Sequence, residues 1–218
     1  MTERLTAAMR RLPLVAILRG VKPDEAAEIG KALVARGFCL IEVPLNSPQP
    51  LVSIESLRKA LPADVVVGAG TVLRAEDVAA VKSAGGEQIV SPHTDVRIIE
   101  AARAQEMAVI PGAATPSEAF TALAAGAHAL KLFPAEMITP PVVKAMLAIL
   151  PEGTAVLPVG GITPEAMRPF VQAGARGFGL GSALYKPGMS PAEIGTRAEL
   201  FASAWRLLAM AAGGEAST

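Results

Sequence analysis

The sequence has little of what secreted, membrane-bound or nucleic-acid-binding proteins need. It contains one cysteine, Cys39, among 218 residues, which excludes an internal disulfide and a zinc site built from several cysteines. Acidic and basic residues balance at 20 each, so no excess positive charge is available to attract nucleic acid or an anionic membrane. The apolar segment at 14–18 is too short for a signal-peptide core, and no later run approaches a membrane span. These absences predict a soluble cytoplasmic protein that binds neither nucleic acid nor membrane.

Aromatic residues are scarce as well, at 4%, although 51% of the residues are hydrophobic. The core must therefore be built mainly from Ala, Val, Leu and Ile. Aliphatic segments of this kind are typical of parallel strands that are buried on both faces.

A strand followed by a helix repeats eight times along the chain. The predicted strands, whose starts are 20 to 26 residues apart, lie at 15–20, 40–45, 65–71, 88–92, 108–113, 129–134, 155–161 and 177–182. A short leading helix is predicted at 3–11, and the others at 24–36, 50–60, 75–84, 95–104, 116–125, 140–150, 164–173 and 191–208. Ser or Thr followed by Pro marks four helix starts, and glycine follows several helix ends.

Eight such units predict an α/β fold, the (β/α)₈ TIM barrel, as a single domain over residues 1–218 with its core at about 12–208. An open doubly wound sheet is the main alternative, but its G-x-G-x-x-G turn is absent after the first strand. The small polar tail at 211–218 is expected to fray.

Two charged residues interrupt otherwise apolar predicted strands. Lys131 lies within Ala-Leu-Lys-Leu-Phe-Pro on the sixth strand, and Glu42 lies within Leu-Ile-Glu-Val-Pro-Leu on the second. Burial disfavours a charged amine, and a neutral buried lysine is a nucleophile toward ketones. The pair therefore predicts either a salt bridge inside the barrel or a Schiff-base lysine with a glutamate that acts as general acid and base.

Active sites of such barrels lie where the strands end, and phosphate often binds after strands seven and eight. Gly160 and Gly161 lie at the end of strand seven, and Gly181 and Ser182 end strand eight. Glycines let backbone N–H groups approach phosphate oxygens, although they also serve simply to turn a strand into a helix. Arg19, at the end of strand one, could bind a phosphate or a carboxylate, or could merely be solvated.

Several of these segments together resemble a known family. They are Ile-Glu-Val-Pro-Leu-Asn-Ser at 41–47, Gly-Ala-Gly-Thr-Val at 68–72, the lysine strand at 129–134, and Val-Gly-Gly-Ile at 159–162. In this order they are similar to the class I 2-keto-3-deoxy-6-phosphogluconate and galactonate aldolases, over residues 12–206. The resemblance implies an aldehyde-lyase with a (β/α)₈ fold, usually a homotrimer, without a metal or other cofactor.

The resemblance also implies roles for individual residues. Lys131 forms the Schiff base and Glu42 moves the protons, while Phe133 and Pro92 surround the pyruvyl end of the substrate. Four residues after strands seven and eight, together with Arg19, hold the phosphate: Gly160, Gly161, Gly181 and Ser182. Thr71 and backbone groups hold the carboxylate in place of an arginine that the gluconate enzymes carry after the strand-two glutamate.

Two positions favour the galactonate subgroup. The segment after Glu42 reads Pro-Leu-Asn-Ser-Pro-Gln, and Val159 stands where the gluconate enzymes have a threonine. A hydroxyl beside C4 of the substrate can prefer one epimer, whereas valine cannot make that hydrogen bond. The expected reaction is cleavage of 2-dehydro-3-deoxy-6-phosphogalactonate into pyruvate and glyceraldehyde 3-phosphate. The gluconate epimer, both epimers, and a phosphate-binding isomerase or synthase remain alternatives.

Overall fold

The structure is a computed structural model that describes residues 3–215. Helices and strands alternate along almost its whole length. The strands are β1 (Leu14–Ile17), β2 (Leu40–Pro44), β3 (Val66–Gly70), β4 (Gln88–Val90), β5 (Ala108–Ile110), β6 (Gly112–Ala113), β7 (Leu130–Leu132), β8 (Val156–Pro158) and β9 (Phe178–Leu180). The helices are α1 (Glu3–Arg11), α2 (Pro23–Val34), α3 (Pro50–Ala60), α4 (Asp77–Ser83), α5 (Val96–Ala104), α6 (Pro116–Ala124), α7 (Pro140–Leu147), α8 (Met167–Gln172) and α9 (Pro191–Glu215).

The parallel strands close into a ring. Six of them pair in the order β5-β4-β3-β2-β1-β9, and three pair in the order β6-β7-β8. The two groups meet twice, because β6 continues β5 through Pro111 and a parallel bridge joins Val159 to Gly179. The predicted (β/α)₈ barrel is confirmed, with β5 and β6 together forming its fifth strand.

Proline divides that fifth strand, which the sequence predicted to run without a break over 108–113. Pro111 has no N–H to donate to a neighbouring strand, so the regular ladder stops at Ile110 and resumes at Gly112. Its carbonyl still accepts a hydrogen bond of 2.9 Å from the N–H of Lys131. The break therefore leaves the sixth barrel strand attached.

Most predicted helices are present, and α1 and α3 have the predicted bounds. Helix α8 is shorter than the predicted 164–173, because the chain first makes a turn in which the N–H of Ala166 donates to the carbonyl of Thr163 (3.1 Å). Helix α9 continues past its predicted end at 208 as far as Glu215, so it includes part of the tail that was expected to fray. Residues 216–218 of that tail lie outside the described residues.

Apolar side chains form one layer between strands and helices and a second layer inside the ring. The inner layer includes Val15, Leu40, Val66 and Leu157 from the strands, and Leu5 of α1 packs with them. Helix α1 thus closes the end of the barrel where the strands begin. Site residues are left to the opposite end. Among residues 3–215, no helix has the length and apolar character needed to cross a membrane.

Candidate active site

A small cavity inside the ring contains both charged residues that the sequence placed on apolar strands. Glu42 and Lys131 line it, and the remaining lining is apolar: Val15, Ile17, Val90, Ile110, Leu157, Val159 and Gly179. Every barrel strand except the third contributes at least one residue to this lining. The fold therefore brings the two predicted reacting groups to one desolvated place.

Lys131 lies in the middle of β7 and is 5% exposed. Burial lowers the pKa of its ammonium, while the nearby Glu42 raises that pKa and Arg19 lowers it. The Nζ atom lies 4.9 Å from the centroid of the Phe133 ring. A ring at this distance covers one side of the amine without forming a hydrogen bond, which keeps the group in apolar surroundings.

Glu42 lies in β2 and is 1% exposed. Burial raises the pKa of its carboxyl group to about 7, against the opposing effects of Lys131 and Arg19. Its Oε2 atom has no hydrogen-bond partner among the described residues. An unpartnered buried carboxyl oxygen is costly, so its presence suggests a group kept free for chemistry.

The space for this carboxyl group comes from Gly70 at the end of β3. A Cβ atom built on Gly70 would lie 1.1 Å from Oε2 of Glu42 and 2.2 Å from its Cδ. The side chain of Glu42 therefore rests directly on the backbone of β3. Any residue larger than glycine at position 70 would displace it.

Glu42 and Lys131 do not form the salt bridge that was the structural alternative. The ion pairs among the described residues include neither of them. Each group shifts the other's pKa toward the charged form, but for both groups burial has the larger, opposite effect. The pair thus has a lysine whose pKa is lowered and a carboxyl group whose pKa is raised to about 7, and these are the shifts that a nucleophile and a proton carrier require.

Arg19 follows β1 and is exposed at the same end of the barrel. Its Nη1 atom donates a hydrogen bond of 2.9 Å to Oδ1 of Asn46, just after β2. The neighbouring Gly20 N–H donates to Oγ of Ser47 (2.9 Å). Two contacts therefore tie the end of β1 to the segment after β2, and the guanidinium lies close enough to lower the pKa values of both Glu42 and Lys131.

Three further predicted residues lie around the mouth of the cavity. Thr71 directly follows Gly70 and has a φ of 52°, a backbone conformation that costs a non-glycine residue about 1 kcal/mol or more. Pro92 is partly buried after β4, and its carbonyl group packs against the Cα of Gly112. Val159 is buried and its Cγ2 atom lies against Gly179, where an added Cβ would be 2.6 Å away.

The predicted phosphate-binding glycines offer unused donors. Gly160 and Gly161 have φ values of 115° and 61°, which only glycine adopts readily. A Cβ on Gly181 would meet nothing within 4 Å. Within the part of the chain described, the N–H groups of Gly160, Gly161, Gly181 and Ser182 have no backbone acceptor. The two loops thus leave four N–H groups available for anion oxygens.

Two residues that contribute to this site were not assigned a role from the sequence. Gly70 was noted only as part of the segment at 68–72, and its contact with Glu42 joins two different strands. Glu136 follows the lysine strand by a few residues, and its carboxylate lies against Gly160 and Gly161. The sequence did contain a signal for Glu136. It comes directly after Phe-Pro-Ala at the end of the lysine strand, and active-site residues of such barrels lie where the strands end.

Comparison with known proteins identifies the family of this chain. The family described as "KDPG and KHG aldolase" matches residues 5–203. The chain belongs to this family. The 2-dehydro-3-deoxy-6-phosphogalactonate aldolase of Escherichia coli (strain K12) is 45% identical over 196 residues, which cover 90% of this chain and 96% of the relative. A Rhizobium meliloti (strain 1021) protein named "Probable 2-dehydro-3-deoxy-6-phosphogalactonate aldolase" is 43% identical, over 90% of this chain and 92% of its own.

Two solved structures have the same fold as this chain. One described as "Native KDPGal structure" superposes with a TM-score of 0.90 at 44% identity, over 92% of this chain and 97% of its own. A designed cube-shaped cage made by fusing symmetric oligomeric domains contains a chain with a TM-score of 0.92 and 43% identity, over 94% of this chain and 76% of its own.

Proposed function

We propose that this aldolase cleaves 2-dehydro-3-deoxy-6-phosphogalactonate into pyruvate and glyceraldehyde 3-phosphate through a Schiff base on Lys131. The observation that carries the proposal is the placement of Lys131 and Glu42 in one apolar cavity without a direct ion pair. Membership of the aldolase family supports the reaction type, and the two named galactonate relatives support the substrate.

The lysine acts first. Because burial lowers the pKa of its ammonium, Lys131 gives up its proton more readily than an exposed lysine does, which frees the electron pair of the amine. That pair attacks C2 of the keto acid to form a carbinolamine, and loss of water gives an iminium. The positive iminium then withdraws electrons from the C3–C4 bond. Phe133 and Pro92 surround the pyruvyl carbons and limit access of water to the amine.

Glu42 then moves the protons. Its carboxylate, directly or through a water molecule, takes the proton of the C4 hydroxyl, the C3–C4 bond breaks, and the electrons of that bond leave an enamine on Lys131. Glyceraldehyde 3-phosphate departs, and Glu42 returns its proton to C3. Hydrolysis then releases pyruvate and the free lysine. A pKa of about 7 suits a group that must both accept and donate a proton in one cycle.

The two ends of the substrate are held in different places. The four free N–H groups of Gly160, Gly161, Gly181 and Ser182 support phosphate binding there. The resemblance implied that Arg19 holds the phosphate, but its contact with the segment after β2 leads us to assign it instead, together with Thr71, to the carboxylate end of the substrate. The hydrogen bond to Asn46 ties Arg19 to the β2 side, where it shifts the pKa values of both reacting groups.

The galactonate epimer is the proposed substrate because Val159 lines the cavity with an apolar side chain. A threonine there could donate to or accept from the C4 hydroxyl of one epimer, whereas valine leaves that choice to other groups. Steady-state kcat/KM values for the two epimers test the assignment. A clear preference for the gluconate compound would contradict it.

The assembly and the location of the enzyme also follow as proposals. We propose a homotrimer, which the similarity to a chain used among symmetric oligomeric domains supports. Light scattering should give a mass near three times the chain mass of 22.3 kDa. We propose a cytoplasmic location, since a phosphorylated sugar acid does not cross a bilayer unaided.

Borohydride trapping tests the central step. Reduction in the presence of pyruvate should fix a pyruvate-derived adduct on the protein, and peptide mapping should place it on Lys131. An adduct on another lysine, or none at all, would contradict the Schiff-base mechanism.

A further inference from the structure

An acidic side chain lies against the glycines proposed to bind phosphate. A Cβ atom on Gly160 would be 2.3 Å from Oε2 of Glu136, and one on Gly161 would be 3.3 Å from Oε1. The carboxylate therefore covers the Cα atoms of both glycines. The N–H of the preceding Ala135 donates to the carbonyl of Val159 (2.9 Å), which holds this segment beside the glycine loop.

Nothing in the described part of the chain neutralises this carboxylate. Glu136 is exposed, and it takes part in none of the ion pairs found there. The four free N–H groups carry partial positive charges close to this carboxylate, and the same four groups would donate hydrogen bonds to a bound phosphate. A phosphate bound at Gly160 and Gly161 would thus lie beside the carboxylate of Glu136.

We propose that Glu136 is a specificity-determining residue that weakens the binding of a lone phosphate dianion at Gly160, Gly161, Gly181 and Ser182. The inference rests on the proposed function of these residues as the phosphate site. A carboxylate about 5 Å from a dianion in water-like surroundings weakens its binding by about tenfold. Inorganic phosphate and the phosphorylated aldehyde product then bind weakly, whereas the full substrate is also held at Lys131.

The consequence is selection for ligands that are anchored at both ends. A weak phosphate contact is sufficient once the imine and the carboxylate contacts are made, because the second contact is then intramolecular. After the C3–C4 bond breaks, the product keeps only the phosphate contact. Its departure is therefore faster than it would be from a site without the carboxylate.

Glu136→Gln tests the proposal, because it removes the charge and keeps the shape. Glu152→Gln is the matched control, since it removes one exposed negative charge after α7, near the start of β8 at the opposite end of the barrel. The measurement is the competitive inhibition constant of inorganic phosphate during cleavage, at low and high potassium chloride. Thermal unfolding confirms that both variants are folded.

We expect the inhibition constant for phosphate to fall about tenfold in Glu136→Gln and to stay unchanged in Glu152→Gln. The difference between wild type and Glu136→Gln should shrink at high salt, because screening weakens a charge effect but not a steric one. An unchanged or higher inhibition constant in Glu136→Gln would overturn the proposal, as would a rise in KM for the substrate alone, which would instead indicate a hydrogen bond to a substrate hydroxyl.

The borohydride adduct separates this proposal from the proposed function. An adduct on Lys131 together with equal phosphate inhibition in wild type and Glu136→Gln refutes the role of Glu136 and leaves the aldolase mechanism intact. An absent adduct refutes the aldolase mechanism whatever the inhibition constants are. Absence of competitive phosphate inhibition in all three proteins refutes the anion site and, with it, the proposal for Glu136.

Discussion

Replacing Gly70 by alanine would show how the barrel positions Glu42, the proposed proton carrier. The added methyl group would lie 1.1 Å from Oε2 of Glu42, and the three nearest atoms it meets all belong to that one side chain. Gly70 does not have a positive φ, so alanine fits the backbone of β3. The substitution therefore acts on the position of one carboxyl group and leaves the strand itself in place.

The size of the effect follows from this overlap. Normal contact requires at least about 3 Å, so the carboxyl group must move by about 2 Å, away from β3 and into the cavity it shares with Lys131. Misplacement by about 1 Å can cost a factor of 10², and loss of general acid–base catalysis costs about 10²–10⁴. We expect kcat to fall by about 10²–10³. Overpacking should lower the free energy of unfolding by about 1–3 kcal/mol.

Three measurements on Gly70→Ala check this reasoning. Steady-state kinetics give kcat, thermal unfolding gives the stability loss, and borohydride trapping with pyruvate reports whether Lys131 still forms its imine. The carboxyl group, pushed toward the lysine, should raise the pKa of Lys131, so adduct formation should shift to higher pH. Gly195→Ala is the control, because its added Cβ would make one ordinary contact at 3.9 Å on helix α9.

A double-mutant cycle decides whether the effect passes through Glu42. In a Glu42→Gln background proton transfer is already lost, so Gly70→Ala should then cost little further activity. If Gly70→Ala lowers kcat by the same factor in both backgrounds, it does not act through the carboxyl group. Full activity of the single variant would show that the carboxyl group can be moved without consequence.

Other substitutions test the remaining parts of the site. Lys131→Met should abolish cleavage and borohydride labelling while circular dichroism stays that of the wild type; residual turnover would exclude the covalent route. Glu42→Gln should still form the pyruvate adduct but lower kcat by about 10²–10⁴, and normal turnover would mean that another group moves the protons. In the wild type, kcat/KM should rise with pH up to about 7, the pKa of Glu42, because the base must be ionised, and this limb should vanish in Glu42→Gln. The same raised pKa should make the fold lose stability as the pH rises toward 7, since the folded state holds this proton more tightly than the unfolded chain; a flat stability profile compared with Glu42→Gln would contradict the shift. Val159→Thr should move the kcat/KM ratio of the two epimers toward the gluconate compound by about fivefold, the worth of one hydrogen bond, and an unchanged ratio would remove Val159 from the epimer choice.

The sequence predicted the barrel well because periodicity and punctuation agree along the chain. Helix α3 has the predicted bounds, with Pro50 at its first position, where a missing N–H costs nothing. The prediction failed where local chemistry interrupts a regular pattern. Pro111 splits the fifth strand, and the turn before α8 delays a helix that Thr163 and Pro164 were predicted to begin.

The site was predictable in its residue types and less so in its contacts. Lys131 and Glu42 stood out because a charge within an apolar strand is rare and needs a reason. Three features depend on how neighbouring strands and loops lie beside each other, which a single sequence does not show. They are the shared cavity of Lys131 and Glu42, the contact of Glu42 with Gly70, and the contact of Glu136 with Gly160. The hydrogen bond from Arg19 to Asn46 is of the same kind, because it joins segments that follow different strands.

Two backbone hydrogen bonds join the β7 region to the loop after β8 and thereby set the length of substrate that the proposed site can hold. Val159 donates its N–H to the carbonyl of Leu132, and Ala135 donates its N–H to the carbonyl of Val159, both over 2.9 Å. These bonds fix the spacing between Lys131, the proposed nucleophile, and Gly160 and Gly161, which are proposed to bind the phosphate. A phosphorylated keto acid with a different number of carbons between its ketone and its phosphate reaches one of these points but not both. The pairing of two adjacent strands therefore determines how many carbon atoms the substrate can have between its ketone and its phosphate. Accepting a longer substrate would require a change in this pairing as well as in the residues that line the pocket.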